Sequence, residues 1–328
     1  CFGKFSAMRK VLHNTKELGG IDMKHSHTSG FRVALPFLLP SLVGFLIFSI
    51  LPIIATLFIS MTNWDGLSQL TLASDFQGFM KQHFVGLQNY QEIFSNAEFY
   101  QVLSNTLKFV VLYIPLMLIV SLCVAGILNS KAHGVGIFRV VYYIPVITSW
   151  VAGSLIWKWV LNPQYGILNS ILSAIGIQGP QWLQSPQWAM PAIVLASVWK
   201  DMGYFGLMLL SGLQGINREY YEAAAIDGAN NVQRFFKITL PLLTPTIFFV
   251  LIISLINSFQ IFPQVMIMTP DGGTGGSTMV MVERIYKHGF TYYEMGTASA
   301  LSWILFIIIM ALTFVQMKLQ SKWVNYDD

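Results

Sequence analysis

Charge is what this 328-residue chain has least of: Asp, Glu, Lys and Arg together make up 10% of it. A soluble domain carries roughly 25%. So few charged groups cannot clothe a water-facing surface of this size, which excludes a soluble globular enzyme. Disorder is excluded from the other side, because 54% of the residues are hydrophobic. Cysteine is scarce as well. Cys1 and Cys123 are too few for a disulfide scaffold. Cys123 lies inside an apolar run and reads as a buried, unpaired thiol. Catalytic signatures are missing too. No G-x-x-x-x-G-K-[ST] phosphate loop is present, so ATP is not expected to bind by that route, and there is no H-E-x-x-H. His13, His25, His27, His83, His133 and His288 all fall in tails or loops. No metal, cofactor or nucleic-acid partner is expected.

What the chain does have is long apolar runs. A bilayer core about 30 Å thick needs roughly 20 apolar helical residues. Six stretches reach that length: Val33 to Met61, Thr106 to Leu128, Ile137 to Val160, Met190 to Leu213, Thr244 to Met268, and Gly296 to Met317. The expected fold is therefore an all-α integral membrane protein with about six transmembrane helices. No cleaved signal peptide is expected, because the first run begins some 30 residues in and is too long for one. Pro52, Pro115, Pro145, Pro191, Pro245 and Pro263 lie within or beside the spans. Each interior proline removes a backbone hydrogen bond and tends to kink its helix, which favours a bent-helix transporter over a simple anchor.

Lys and Arg in the loops set the orientation. Lys4, Arg9, Lys10, Lys16, Lys24 and Arg32 precede the first span. Lys131, Arg139, Arg218, Arg234, Lys237, Lys318 and Lys322 follow the even-numbered ones. Lys81, Arg284 and Lys287 occupy the other side. Thirteen against three puts both termini in the cytoplasm. Residues 1–30 read as a cytoplasmic tail and 31–328 as the membrane domain. The outer loop 62–104 carries Asp65, Asp75, Glu92 and Glu98 against one Lys81. The uncharged outer segment 161–189 holds Trp182 and Trp188, residues suited to a membrane–water interface. Asp271 to Gly276 is a glycine-rich outer turn rather than a nucleotide cradle.

The cytoplasmic segment 214–243 is the most informative. Asn217 is a fair N-cap, and Glu219 and Glu222 suit the positive end of a helix dipole. Ala223, Ala224 and Ala225 propagate the helix, and Gly228 supplies the left-handed residue that ends it. A second short helix from Asn230 to Ile238 is expected to stop at Leu240 and Pro241. The product is a helix-turn-helix outside the membrane. From these residues alone, a solvated linker and a docking element remain alternatives.

The spacing of Glu222, Ala223 and Ala224, then Gly228, then Ile238, Thr239, Leu240 and Pro241 resembles the EAA loop of ABC importer permeases. The form with Ala225, Ile226, Asp227 and Ala229 is similar to the carbohydrate-uptake permeases of the maltose and glycerol-phosphate type. The stretches Phe84 to Tyr90, Asn105 to Leu107, Ser258 to Phe262, Met268-Thr269, Gly272-Gly273 and Ser277-Thr278 resemble the same family. Thr274 and Pro263 depart from its pattern, and the first 30 residues lie outside it. The resemblance implies an importer-type permease fold with a cytoplasmic coupling helix, in a bacterial or archaeal inner membrane. It implies a non-catalytic chain that forms the path for a sugar. Its implied partners are cytoplasmic ABC ATPase subunits, a second permease subunit and an external solute-binding protein. The coupling residues it implies are Glu222, Ala223, Ala224, Asp227, Gly228, Ile238, Leu240 and Pro241.

Two polar groups within the spans are candidates for the substrate pathway. Lys200 and Asp201 lie near the middle of the fourth span, where an ionised group costs about 2.5–3.5 kcal/mol unless solvated or paired. They either line an aqueous path or form a structural pair. Asn257, Ser258 and Gln260, with Phe262 beside them, mix amides, a hydroxyl and an aromatic ring. That mixture suits a sugar, and it equally suits hydrogen bonding between helices.

Overall fold

The computed structural model describes residues 27–68, 76–130 and 134–325. Lys4, Arg9, Lys10, Lys16, Lys24, Asp75, Lys131, His13, His25, His133 and most of the expected tail lie outside them. Two compact units divide the chain, residues 1–55 and 56–328.

The first unit holds α1 (His27–Phe45), a π turn, Leu46–Ile50, and the start of α2 (Leu51–Ile59). The π turn sits just before Leu51-Pro52. Pro52 has no N–H and its ring would clash with the carbonyl four residues back. Widening the preceding turn to i→i+5, with Leu51 N–H donating to Leu46 O, removes the clash without a kink. The expected kink is absorbed here, and the span runs as one helix from Leu35 to Ile59.

The second unit holds α3 (Phe76–His83), α4 (Gln88–Ser95) and α5 (Ala97–Leu128). The Asn96 side chain caps α5 by accepting from Glu98 N–H at 2.9 Å. This start lies nine residues before the expected Thr106. Next come α6 (Val135–Ile147), α7 (Trp150–Val160), α8 (Ile167–Ala174) and α9 (Ala189–Gly215). They are followed by α10 (Arg218–Ile226), α11 (Asn231–Leu242), α12 (Thr244–Phe259) and α13 (Pro263–Met268). The chain closes with α14 (Met281–Tyr286) and α15 (Met295–Trp323). Among the described residues four helices are long and apolar enough to cross a membrane, and six if each of two bent pairs is one span.

The bent pairs correct the expected third and fifth spans. The third is not one helix: α6 and α7 meet at 103° across Thr148 and Ser149. The fifth ends at Phe259, not Met268. Gln260 to Phe262 break the chain, and Pro263 starts α13, where its missing N–H costs nothing.

Helix α9 is the centre of the unit and packs on α5, α6 and α12. In lipid no hydrophobic force drives helices together, so close van der Waals packing must do it, and small residues permit that. Ala196 on α9 and Ala125 on α5 are fully buried, beside Met117, Ile193 and Leu209. A second apolar cluster joins α4, α5, α12, α14 and α15 through Ile93, Phe99, Phe259, Met281 and Ala300. Cys123 is exposed on α5, contrary to the expected burial. On an apolar face a thiol is as compatible with lipid as with a core.

The glycine-rich segment is ordered by its neighbours. Gln101 donates to the Gly275 carbonyl at 3.0 Å and Asn105 to that of Gly276 at 2.8 Å, stitching two short turns to α5. Lys287 bridges Asp271 and Glu283, both at 3.0 Å. At the turn after α2, Asp65 Oδ1 accepts from Ser68 N–H, Ser68 Oγ and Leu67 N–H. The Ser68 backbone bond leads these in holding the carboxylate pKa down at about 2. Because the folded value is depressed, this turn keeps its full support above the ordinary range near 3.8 and loses it as pH falls through about 2. Ser68→Ala should raise the Asp65 pKa, read from its carboxyl carbon shift in nanodiscs. A titration identical to wild type would show that the Ser68 hydroxyl does not hold the Asp65 carboxylate.

Candidate coupling elbow and membrane pathway

Helix α10 starts where Asn217 Oδ1 accepts from Glu219 N–H at 3.1 Å, with Glu219 in the first turn. It ends in paired hydrogen bonds around Gly228. Gly228 N–H donates to Ala225 O at 3.2 Å and Ala229 N–H to Ala224 O at 2.9 Å. This closure requires a left-handed residue, and Gly228 has φ +76°. Asn230 and Gln233 then cap α11 reciprocally, at 2.8 and 2.9 Å. Across the turn, the Tyr221 and Thr239 hydroxyls meet at 3.0 Å, and Arg234 Nε donates to Ala229 O at 2.9 Å. The two helices therefore form one rigid elbow.

Pro241 does not end the second helix as expected. A π turn, Phe235–Thr239, precedes Leu240-Pro241, repeating the arrangement before Pro52. The helix runs on to Leu242, and the 65° bend falls at Leu243, just before Pro245.

Exposure divides the elbow residues. Glu222, Ala223, Asp227 and Gly228 are exposed, while Ala224, Ile238, Leu240 and Pro241 are half-buried beneath them. Ile226 is 88% exposed, Val232 65% and Phe236 60%. Apolar side chains this bare, on a short polar elbow, present a surface suited to a protein partner. Sequence reading missed Ile226, Val232 and Phe236 as contact residues. Their signal was a large apolar side chain in a segment expected to lie outside the membrane.

The pathway candidates separate. Lys200 is 7% exposed. Its Nζ donates to the carbonyls of Pro145, Val146 and Thr148 at 3.0, 3.1 and 2.6 Å, and the Trp150 ring lies 5.3 Å away. Asp201 accepts from the Tyr113 hydroxyl at 2.6 Å, a partner on α5 that sequence gave no sign of. Asn257 and Gln260 are exposed. Gln260 borders an apolar groove of about 820 Å³ between α12 and α15 that Lys200 and Asp201 do not line. Ser258 is buried, and its hydroxyl donates back to Leu255 O at 2.8 Å. Phe262 rests on Tyr286 with centroids 5.1 Å apart. Among the described residues no group of three or more His, Cys, Asp and Glu could hold a metal.

The family model for binding-protein-dependent transport system inner membrane components matches residues 98–325. YesP, a probable ABC transporter permease protein of Bacillus subtilis, is 37% identical over 295 residues, 89% of this chain and 91% of that protein. The trehalose/maltose transport system permease protein MalF of Thermococcus litoralis is 36% identical over 284 residues, 86% of this chain and 91% of that one. In fold, the chain is similar to one in the crystal structure of a bacterial alginate ABC transporter in complex with its alginate pentasaccharide-bound periplasmic protein. The TM-score there is 0.73 at 22% identity, covering 92% of this chain and 98% of that one. Multiple membrane-crossing helices, the elbow and these likenesses lead to one conclusion: the chain belongs to the family of binding-protein-dependent transport system inner membrane components, as a multi-pass permease subunit of an ABC importer.

Proposed function

We propose that this subunit forms part of the path for a sugar or oligosaccharide, and that ATPases carried on other chains drive it by alternating access. The sugar assignment is supported by the relative named for trehalose and maltose transport, together with the extended form of the loop around Glu222. The subunit pairs with a second permease subunit and receives cargo from an external solute-binding protein. Both termini lie in the cytoplasm, as does the elbow. The chain catalyses nothing and holds no cofactor; its partners bind and hydrolyse ATP.

The observation that carries this reading is the rigid elbow between α9 and α12 with Ile226 bare at its end. Hydrolysis on another chain reaches the membrane only through mechanical contact. A stiff element covalently joined to two core helices converts movement of a bound partner into movement of those helices. Glu222, Ala223 and Asp227 form the outer face of that element, Ala224 backs it, and Gly228, Ile238, Leu240 and Pro241 set its shape. Asp201, Asn257, Gln260 and Phe262 are the proposed sugar-facing groups. Lys200 and Ser258, whose polar atoms are already bonded, act on the path through their neighbours.

The test is reconstitution of the complex in liposomes with a panel of labelled sugars. ATP-dependent uptake of at least one sugar is expected, requiring the ATPases, the second permease and the binding protein together. Accumulation by this chain alone would defeat the proposal.

A further inference from the structure

We infer that Lys200 is a positioning residue that holds the third span broken, so that its charge sets the angle at which α7 is presented. A helix that stops inside a membrane strands its last carbonyls, and each one left unbonded there costs several kcal/mol. At the end of α6 most of those carbonyls can be accounted for. Ile144 O accepts from the Thr148 hydroxyl at 2.9 Å. Pro145 O accepts from Thr148 N–H and from Lys200, while Val146 O and Thr148 O accept from Lys200. Ser149, with ψ 148°, turns the chain, and its hydroxyl caps α7 by accepting from Ala152 N–H at 3.2 Å.

An ammonium has three N–H donors. All three are used on this one turn, so none is left for a substrate hydroxyl. The site suits a cation twice over: the C-terminal end of a helix carries partial negative charge, and the Trp150 face adds cation–π attraction. A neutral side chain of similar length leaves the Val146 and Thr148 carbonyls without a partner, while Pro145 O keeps Thr148 N–H. The helix then either straightens through Thr148 to recover its own bonds or admits water.

The same turn of α9 makes two further contacts, one to α5 and one to α6. Asp201 is tied to α5 through Tyr113. Gly203 lets the backbones of α9 and α6 close up, since a Cβ there would lie 2.0 Å from Tyr142 O. The break is thus clamped from one rigid helix. Helix α7, on its far side, packs on α13. The clamp therefore fixes where α7 meets the segment that follows α12 and, through α12, the elbow.

The experiment uses the full chain with Cys1 and Cys123 replaced by serine, in the reconstituted complex. Spin labels at Ile144→Cys and Leu155→Cys, both exposed positions on either side of the break, report the angle as a distance distribution. Lys200→Met should broaden or lengthen that distribution and lower maximal uptake at least tenfold with KM unchanged. Lys200→Arg, which keeps a charged multiple donor, should restore both. If the methionine variant is not recovered, Lys200→Gln, with two amide donors, should give an intermediate distribution. An unchanged distribution in the neutral variant overturns the inference. So does a raised KM with an unchanged maximal rate, which would make Lys200 a substrate contact. The uptake arm rests on the permease reading; the distance arm does not, so failure of one is distinguishable from failure of the other.

Discussion

Ile226→Asp is expected to strip the ATPase subunits from the purified complex and abolish uptake. Ile226 is 88% exposed, so the variant loses almost no internal packing and should insert and fold normally. Docked against a partner, an isoleucine buries apolar surface worth about 2 kcal/mol, roughly 30-fold in affinity. Aspartate forfeits that and adds a carboxylate that must be desolvated without a partner, a further cost of similar size. Glu222→Lys should act in the same direction, because Glu222 lies on the exposed face one turn before Ile226 and reversing its charge turns an attraction into a repulsion. Ile226→Leu should change little. The measurement is ATPase retained per permease after affinity purification, beside ATP-driven uptake. Full retention in both Ile226→Asp and Glu222→Lys would remove the docking role from this elbow.

The elbow was legible in the sequence because its signals are local. Asn217 and Gly228 each act within a few residues, the one by its amide oxygen and the other by its tolerance of positive φ. The long apolar helices were legible for a similar reason, since composition alone demands them. The broken third span was not. Thr148 and Ser149 are not strong helix breakers, and the group that stabilises the break is 52 residues away in the chain, on Lys200. The partnership of Asp201 with Tyr113, 88 residues apart, was hidden for the same reason. Prolines misled in both directions. Pro52 read as a kink and Pro241 as a helix end, yet each is absorbed by a π turn just before it. Pro263 sits inside an apolar run that reads as one span, yet it begins a new helix. Whether a proline bends, widens or starts a helix depends on which carbonyls its neighbours can satisfy, and that is settled by packing.

Gly228→Val is expected to leave the permease in the membrane and still abolish coupled uptake, whereas Gly228→Asn retains much of it. Nothing lies within 4 Å of where a Cβ would stand at Gly228, so no clash distinguishes the two variants. Only backbone preference does. At φ +76° an ordinary L-residue is strained by about 1–2 kcal/mol, and a β-branched one by more; asparagine tolerates this region best among the rest. Valine therefore drives the turn out of the left-handed region. That breaks the two closing bonds, from Gly228 to Ala225 and from Ala229 to Ala224, each worth about 1 kcal/mol. The Tyr221–Thr239 contact, which holds α10 against α11, cannot survive reorientation of the two helices. The spans are untouched, because the bend into α12 lies at Leu243, fifteen residues on. The predicted signature is thus specific: normal membrane level, weakened ATPase retention, and ATP hydrolysis that no longer produces uptake. Equal uptake by the valine and asparagine variants would mean that the angle of the elbow does not matter to coupling.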